Sequence, residues 1–495
     1  MPGTVKCQRV SFRGFPTVSV RWTAYMIRMS SVRTFYIEQF GCRATQADGA
    51  AIERQLLERG FTSAAESGSA DVVVVNTCTV TAAADSQARD AIRKLHSKNP
   101  AARVIVTGCY AQRAPEELAT LPGVSWVVGN SHKPEIPRLV DLLSQSRELI
   151  PHKSENFVPA ASLDTGAMSL QRGPAKILTG DIFEQTTLLA APVLGGEGNH
   201  TRPVLKIQDG CNSRCSYCVI PFVRGKSRSL AVSNVLEEIR QLSAAGYREI
   251  VLSGINLGTY GRDLSPRVEF IDLLSRILDE TPVERLRISS IEPLDVTQDL
   301  IALFASTDRI AQHFHMPLQS GSDRILAAMH RWYRAEHYER RVELIREHLP
   351  DAAIGADIIA GFPGETNVDH NSTLSFIDRL PFTYLHVFSF SERPGTRAAT
   401  LPDEVPAAAI KQRARDLRAL GEAKGADFRR SQIGSTLRVL TLRAEERGPS
   451  RTTPALSSNY LRVRIPADYS ANTWQDVVAV SEEGNGILAE PLDPA

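Results

Sequence analysis

No uninterrupted apolar stretch in these 495 residues approaches the roughly 18 needed to span a bilayer as a helix, so a membrane-spanning helix is not expected. The opening residues form no convincing signal peptide, which argues against secretion. Charge of one sign is also lacking: 57 basic residues face 56 acidic ones, for a net charge of +1. Any nucleic-acid partner must therefore be argued from local patches rather than from overall charge. No acidic residue precedes Glu38, whereas Lys6, Arg9, Arg13, Arg21, Arg28 and Arg33 all lie before it. That stretch reads as an extension over 1–32, with Met26 or Met29 as the expected true start rather than an organellar presequence. Hydrophobic residues at 42% and charged residues at 23% describe an ordinary soluble protein with ample core, and the length suggests about three domains.

Cysteine is scarce, at seven residues, and its placement is uneven. Cys7, in the extension, is assigned no role. Cys211, Cys215 and Cys218 form a C-x3-C-x2-C run in DGCNSRCSYC. Three thiolates at that spacing can hold three irons of a cubane 4Fe-4S cluster and leave the fourth iron open for another ligand. Structural zinc is the commoner reading of a lone C-x2-C pair, but zinc wants four ligands and no fourth Cys or His lies near this loop. Tyr217 completes C-x3-C-x-aromatic-C, which resembles the signature of the radical S-adenosylmethionine enzymes, whose open iron binds the amino and carboxylate groups of that cofactor. Thiolates serving iron need a reducing compartment, so the chain is expected in the cytoplasm.

The other three cysteines are dispersed: Cys42 after TFYIEQF, Cys78 after DVVVVN, and Cys109 after RVIVTG. Each run is apolar and rich in β-branched residues and reads as a buried strand. Helical stretches at 47–58 and 85–98 separate them, and this alternation predicts a parallel sheet. Residues just past the carboxyl ends of parallel strands share one crevice, so these three cysteines are expected to converge. Read instead as buried small hydrophobes, they would have no reason to recur three times at the same structural position.

A second alternating system starts at PVLKIQ and continues through REIVLSGINLG, RLRISSIEP, HFHMPLQSGSD, IGADIIAGFPGET and YLHVFSFSERPGT. Six β/α units make a partial barrel, with chemistry expected at the carboxyl-end loops. Those loops carry Ser253 and Gly254, Ser289 to Glu292, Gln319 to Ser322, Asp357, and Gly361 to Glu365. Ser253, Gly254, Glu292, Gln319, Ser320 and Asp357 are the expected cofactor contacts. Periodicity fails over 146–200, which reads as a partly ordered linker, although LTGDIFEQTTLLAAPV could fold against a domain. From about residue 430 short strands at GSTLRVLTLRAEE, NYLRVRIPA, WQDVVAVSEE and GILAEPL predict a small β-barrel. Two basic segments suit phosphate contact and base stacking: Arg224, Lys226 and Arg228 follow the cysteine loop, and His330, Arg331, Trp332, Tyr333 and Arg334 interleave cations with aromatics. A solvated surface is the competing reading of both.

The series GC at 41–42, NTCTVT at 76–81, TGCYAQ at 107–112, DGCNSRCSYC at 209–218 and PLQSGSD at 317–323 resembles the radical-SAM methylthiotransferase family over about residues 33–490. The resemblance implies an α/β chain with an N-terminal Rossmann-like parallel-sheet domain (33–145), a central partial (β/α)6 barrel (201–429) and a C-terminal all-β TRAM barrel (430–495) that contacts RNA. It implies two 4Fe-4S clusters, one on Cys211, Cys215 and Cys218 for reductive cleavage of S-adenosyl-L-methionine, the other an auxiliary cluster on Cys42, Cys78 and Cys109 that carries the methylthio group. LSGINLGTYGRDL, RLRISSIEP and LHVFSFSERPGTRAA look most like the branch that acts on tRNA bearing N6-threonylcarbamoyladenosine (t6A), at carbon 2 of the adenine 3′ to the anticodon. The implied partners are a tRNA anticodon loop, an electron donor and a sulfur source, and the chain is expected to be monomeric. Alternatives are the isopentenyladenosine branch, the branch that modifies a ribosomal protein, and a non-catalytic RNA-binding iron-sulfur redox sensor. One departure is Thr45, where the family commonly has Asn.

Overall fold

The computed structural model describes residues 34–145, 175–186, 188–189, 191–193, 201–443 and 452–492. The predicted extension, Cys7, and residues 146–174 of the predicted linker lie outside them. The described residues fall within one compact unit.

Six parallel strands form the first sheet: β1 (Thr34–Gln39), β2 (Thr62–Ser63), β3 (Val72–Thr77), β4 (Arg103–Gly108), β5 (Val124–Gly129) and β6 (Lys176–Leu178), in the order β2-β1-β3-β4-β5-β6. The central strand β3 is buried throughout, as its unbroken VVVV run requires of a strand covered on both faces. Helices Arg43–Glu58 and Ala82–Lys98 follow β1 and β3, each starting a few residues before its expected position. Thr81 caps the second helix by accepting from the Ala84 amide, which satisfies one of the free N–H groups of its first turn. Part of the expected linker is therefore ordered as a sixth strand. Lys176–Leu178 pairs with β5, and the Ala175 amide donates to Ala119.

The second system comprises β7 (Val204–Lys206), the two-residue pair β8 (Gln208–Asp209) and β9 (Arg228–Ser229) that braces the cysteine loop, and β10 (Glu249–Ser253), β11 (Arg285–Ile288), β12 (His313–His315), β13 (Ala353–Ala360) and β14 (Tyr384–Ser389). Two parallel three-stranded sheets, β11-β10-β7 and β12-β13-β14, are joined where Leu286 exchanges backbone bonds with Arg309 and Ala311. The result is a six-stranded partial barrel wrapped in helices, with a core running from Leu205 to Leu417.

Five strands close the C-terminal barrel: β15 (Thr436–Thr441), β16 (Thr453–Ser457), β17 (Arg462–Ile465), β18 (Trp474–Glu483) and β19 (Gly486–Pro491). The sequence reading found four of them. The fifth, β16, carries Pro454 in the short run TPALS, and proline inside a short run weakens a strand signal. No helix among the described residues is long and apolar enough to cross a membrane.

Candidate active site

Strands β1, β3 and β4 pair in register, Gln39 with Asn76 and Thr77 with Gly108, so the residues that follow them emerge side by side. Cys42 caps the helix Arg43–Glu58, Cys78 follows β3, and Cys109 opens the helix Cys109–Arg113. Close approach depends on glycine. Gly41 has φ +102°, and a Cβ there would lie 2.6 Å from Cβ and 2.9 Å from Sγ of Cys78. Gly108, at φ +101°, would place a Cβ 2.2 Å from the Thr77 carbonyl oxygen. Both are backbone conformations that only glycine adopts cheaply.

Cys78 and Cys109 are buried and Cys42 is exposed, and none forms a disulfide. Burial, reinforced by the neighbouring Cys109 and Cys42, pushes the Cys78 thiol up to about 12. Soft sulfur donors of this kind suit iron-sulfur ligation, and a bound metal would convert them to thiolates. The surroundings also fit an anionic group. Asn130 Nδ2 stands 3.6 Å from Cys109 Sγ, and the buried Nε of Arg224 has no acceptor among the described residues.

The second triad sits on the loop after β8. Gly210, at φ +69°, has no room for a side chain, because a Cβ would fall 2.0 Å from the Lys226 carbonyl oxygen. The Cys211 amide donates to Gly225 and that of Cys218 to Cys215. Ser216 anchors the loop to Met329 and Ala328, while Tyr217 packs against Ile325, Met329, Phe362 and Ala398. Burial pushes the Cys218 thiol up to about 12 and that of Cys215 upward. Arg331 opposes the rise at Cys215, donating to its Sγ at 3.3 Å, and it also pairs with Glu292.

A polar wall runs across β12, β13 and β14. Tyr384 Oη is 2.7 Å from His313 Nε2 and 2.9 Å from His315 Nδ1. His315 Nε2 is 3.0 Å and His386 Nδ1 3.3 Å from the same oxygen of Asp357. Burial alone would raise the Asp357 carboxyl, but the hydrogen bonds and charges of both histidines outweigh it and hold the group well below the usual carboxylate range. The ligand atoms of His315, Asp357 and His386 all lie within 4.8 Å of one another, a spacing that these hydrogen bonds already explain. Burial pushes the Glu292 carboxyl up, with a small further push from Asp357, and burial dominates the shifts at His313 and Tyr384, to which Arg43, next to Cys42, adds a minor part.

The other expected cofactor contacts divide. Glu292 and Asp357 belong to this region. Gln319 adopts φ +67°, its amide donating to Asp357 O at 2.7 Å and its carbonyl accepting from Ile359 at 3.0 Å, so the strained residue is clamped to β13. Gly254 is pressed against Gln208 and Leu257, and Ser253 is buried at the end of β10. Ser320 is 1% exposed and its hydroxyl meets Thr373 and the Ser322 amide, contacts that hold the loop together.

Three of the six expected RNA contacts need correction. Arg224 is 1% exposed and Arg228 and Arg331 are each 8% exposed, all of them turned into ion pairs with acidic partners. Lys226 and Arg334 are exposed, as is Trp332 at 77%. A run of basic residues does not by itself distinguish a surface cation from the buried half of an ion pair. Sequence reasoning also missed the acidic partners Asp48 and Asp209 and the wall residues His315, Tyr384 and His386. Asp209 directly precedes Gly210-Cys211, and His313 and His315 alternate on one strand face, which were the available signals.

A six-stranded partial barrel with a C-x3-C-x2-C loop at its carboxyl end defines a radical-SAM enzyme. Residues 205–377 match the Radical SAM superfamily, and residues 34–129 match the Uncharacterized protein family UPF0004. The threonylcarbamoyladenosine tRNA methylthiotransferase MtaB of Aquifex aeolicus is 36% identical over 428 residues, 86% of this chain and 95% of that protein. The tRNA-2-methylthio-N(6)-dimethylallyladenosine synthase of Syntrophobacter fumaroxidans is 35% identical over 76% of this chain and 77% of that protein. The radical S-adenosylmethionine methyltransferase TsrM of Kitasatospora setae shares the fold, with a TM-score of 0.52 at 16% identity over 74% of this chain and 76% of that one. The chain belongs to the radical-SAM tRNA methylthiotransferases. As a member it takes S-adenosylmethionine and 4Fe-4S clusters as cofactors.

Proposed function

We propose that this enzyme adds a methylthio group to carbon 2 of t6A at position 37 of tRNA, in the cytoplasm, with one 4Fe-4S cluster on Cys211, Cys215 and Cys218 and an auxiliary one on Cys42, Cys78 and Cys109. The observation that carries the reading is the delivery of Cys42, Cys78 and Cys109 by the carboxyl ends of the paired strands β1, β3 and β4, beside a C-x3-C-x2-C loop held between β8 and β9 at the start of the partial barrel.

When bound, the first cluster with S-adenosylmethionine supplies the radical, and the second supplies the sulfur. The chain's own groups position and shield. Arg331 holds Cys215 and Glu292 together, Tyr217 seals the loop against the barrel, and the clamped Gln319 fixes the β12 loop to β13. Arg43 favours the t6A branch. It is half-buried and makes no hydrogen bond or ion pair among the described residues, and a lone half-buried cation suits a substituent that carries a carboxylate better than an apolar isopentenyl group. Lys226, Trp332 and Arg334 are the remaining candidates for RNA contact outside the C-terminal barrel.

Mass spectrometry of tRNA nucleosides from cells with and without the gene tests the reading. Loss of the methylthio form with accumulation of t6A is expected. Loss of the methylthio-isopentenyl form instead would move the enzyme to the branch of its dimethylallyladenosine relatives.

A further inference from the structure

A cluster of fully buried charges joins the two cysteine triads, and the residue chemistry above leaves it unused. Asp48, on the helix that Cys42 caps, accepts from Lys133 Nζ at 2.7 Å, from Arg224 Nη2 at 3.0 Å and from Lys206. Asp209, two residues before Cys211, accepts from Lys206 at 3.0 Å, Arg224 Nη1 at 2.9 Å and Arg228 at 3.5 Å. Leaving Arg228 aside, three deeply buried cations, Lys133, Lys206 and Arg224, share these two carboxylates among the described residues. Burying charge is costly unless it is balanced, so the excess calls for more negative charge close by.

The nearest source is the auxiliary triad. Arg224 Nη2 stands 3.3 Å from Thr45 Oγ1, and that hydroxyl is 3.7 Å from Cys42 Sγ. Cys109 packs against Val219 and Val223 of the Arg224 segment, and Asn130 spans from Cys109 Sγ to the Val223 carbonyl, 2.7 Å away. The Nε of Arg224 is buried with no acceptor among the described residues, an arrangement that costs free energy unless another group completes it. Three neutral thiols supply no such charge; three thiolates on an iron-sulfur cluster do.

We propose that Arg224, backed by Lys133 and Lys206, is the counter-charge and positioning residue of the auxiliary site, stabilising its more negative states: the reduced cluster, and the cluster with an added anionic sulfur ligand such as hydrosulfide. The inference rests on the reading that Cys42, Cys78 and Cys109 hold a cluster. Because the same guanidinium grips both Asp48 and Asp209, it also fixes the auxiliary triad relative to the loop of Cys211. The departure at Thr45 fits this role, since its hydroxyl is the link between Arg224 and Cys42.

The test uses the full-length chain with Cys211, Cys215 and Cys218 all changed to Ala, reconstituted without oxygen, so that only the auxiliary site can hold iron. Iron content is measured and the site is titrated against potential by electron paramagnetic resonance, for this background and with Arg224→Gln, Arg224→Lys or Lys133→Gln added. Removing the positive charge at 224 is expected to lower the reduced-to-oxidised ratio at fixed potential at least tenfold, about 59 mV for one electron. Lys at 224 should restore most of the shift. If Arg224→Gln fails to fold, Lys133→Gln reads the same effect at the other side of Asp48. Normal iron content with an unmoved potential in the folded charge-removing variants overturns the inference alone. A background chain that binds no iron overturns the auxiliary-cluster reading and the inference with it.

Discussion

Arg331 donates from Nη1 to the sulfur of Cys215 at 3.3 Å while its other nitrogen grips Glu292. A guanidinium buried against a thiol proposed to hold iron would act on the charge of that site rather than on a phosphate in solvent. Arg331→Met should lower 5′-deoxyadenosine formation at least about tenfold, the cost of losing one charged hydrogen bond, and should leave tRNA affinity unchanged. Product chromatography and a gel-shift titration check the two halves. Weakened RNA binding with normal cleavage would return Arg331 to the RNA surface.

The two triads should separate by reaction step. Cys215→Ala is expected to abolish cleavage of S-adenosylmethionine. Cys78→Ala should spare that cleavage and abolish sulfur insertion, because Cys78 lies in the other triad. Product formation by Cys78→Ala would refute the auxiliary assignment. Gly41→Ala should resemble Cys78→Ala, since its new methyl group would meet Cys78 at 2.6 Å in a backbone region unfavourable to alanine.

Exposed cations and an exposed ring should behave as a nucleic-acid surface. Lys226→Ala and Arg334→Ala are each expected to weaken tRNA binding and to reduce the slope of log affinity against log salt by about one unit. Trp332→Ala should weaken binding through lost stacking, by about 1–3 kcal/mol and with the salt slope unchanged. Binding titrations at three salt concentrations distinguish these effects.

Glu249 on β10 lies between three arginines. Arg287 Nε donates at 2.8 Å and Arg202 at 3.1 Å, and Arg285 joins them. Arg287 also reaches the Ser457 and Ser458 carbonyls of the C-terminal barrel. Burial would raise the Glu249 carboxyl, but these arginines outweigh it and hold it far below its ordinary value. A depressed carboxylate contributes stability that is complete above the unfolded pKa, about 4.3, and that is lost as pH falls below it. Glu249→Gln should cost about 3–5 kcal/mol, as for a broken buried pair. It should also flatten the fall in thermal midpoint between about pH 5 and 3, as followed by circular dichroism.

Local pattern made much of this protein legible. Strand runs before Cys42, Cys78 and Cys109 placed three distant thiols at one sheet edge, because parallel strands in register must deliver their carboxyl ends together. Ligand count in the C-x3-C-x2-C loop argued for an open iron-sulfur cluster over zinc. Cations were read less well: Lys226 and Arg228 are two residues apart, yet one faces solvent and the other faces Asp209. Composition and spacing therefore determined the strands and the cysteine sets, while the reaction class came from resemblance to a known family. Only the tertiary structure decided that Asp48 and Asp209, 161 residues apart in the chain, would share Arg224. Burial and ion pairing depend on which elements pack together, and no periodicity within a single segment records its partner.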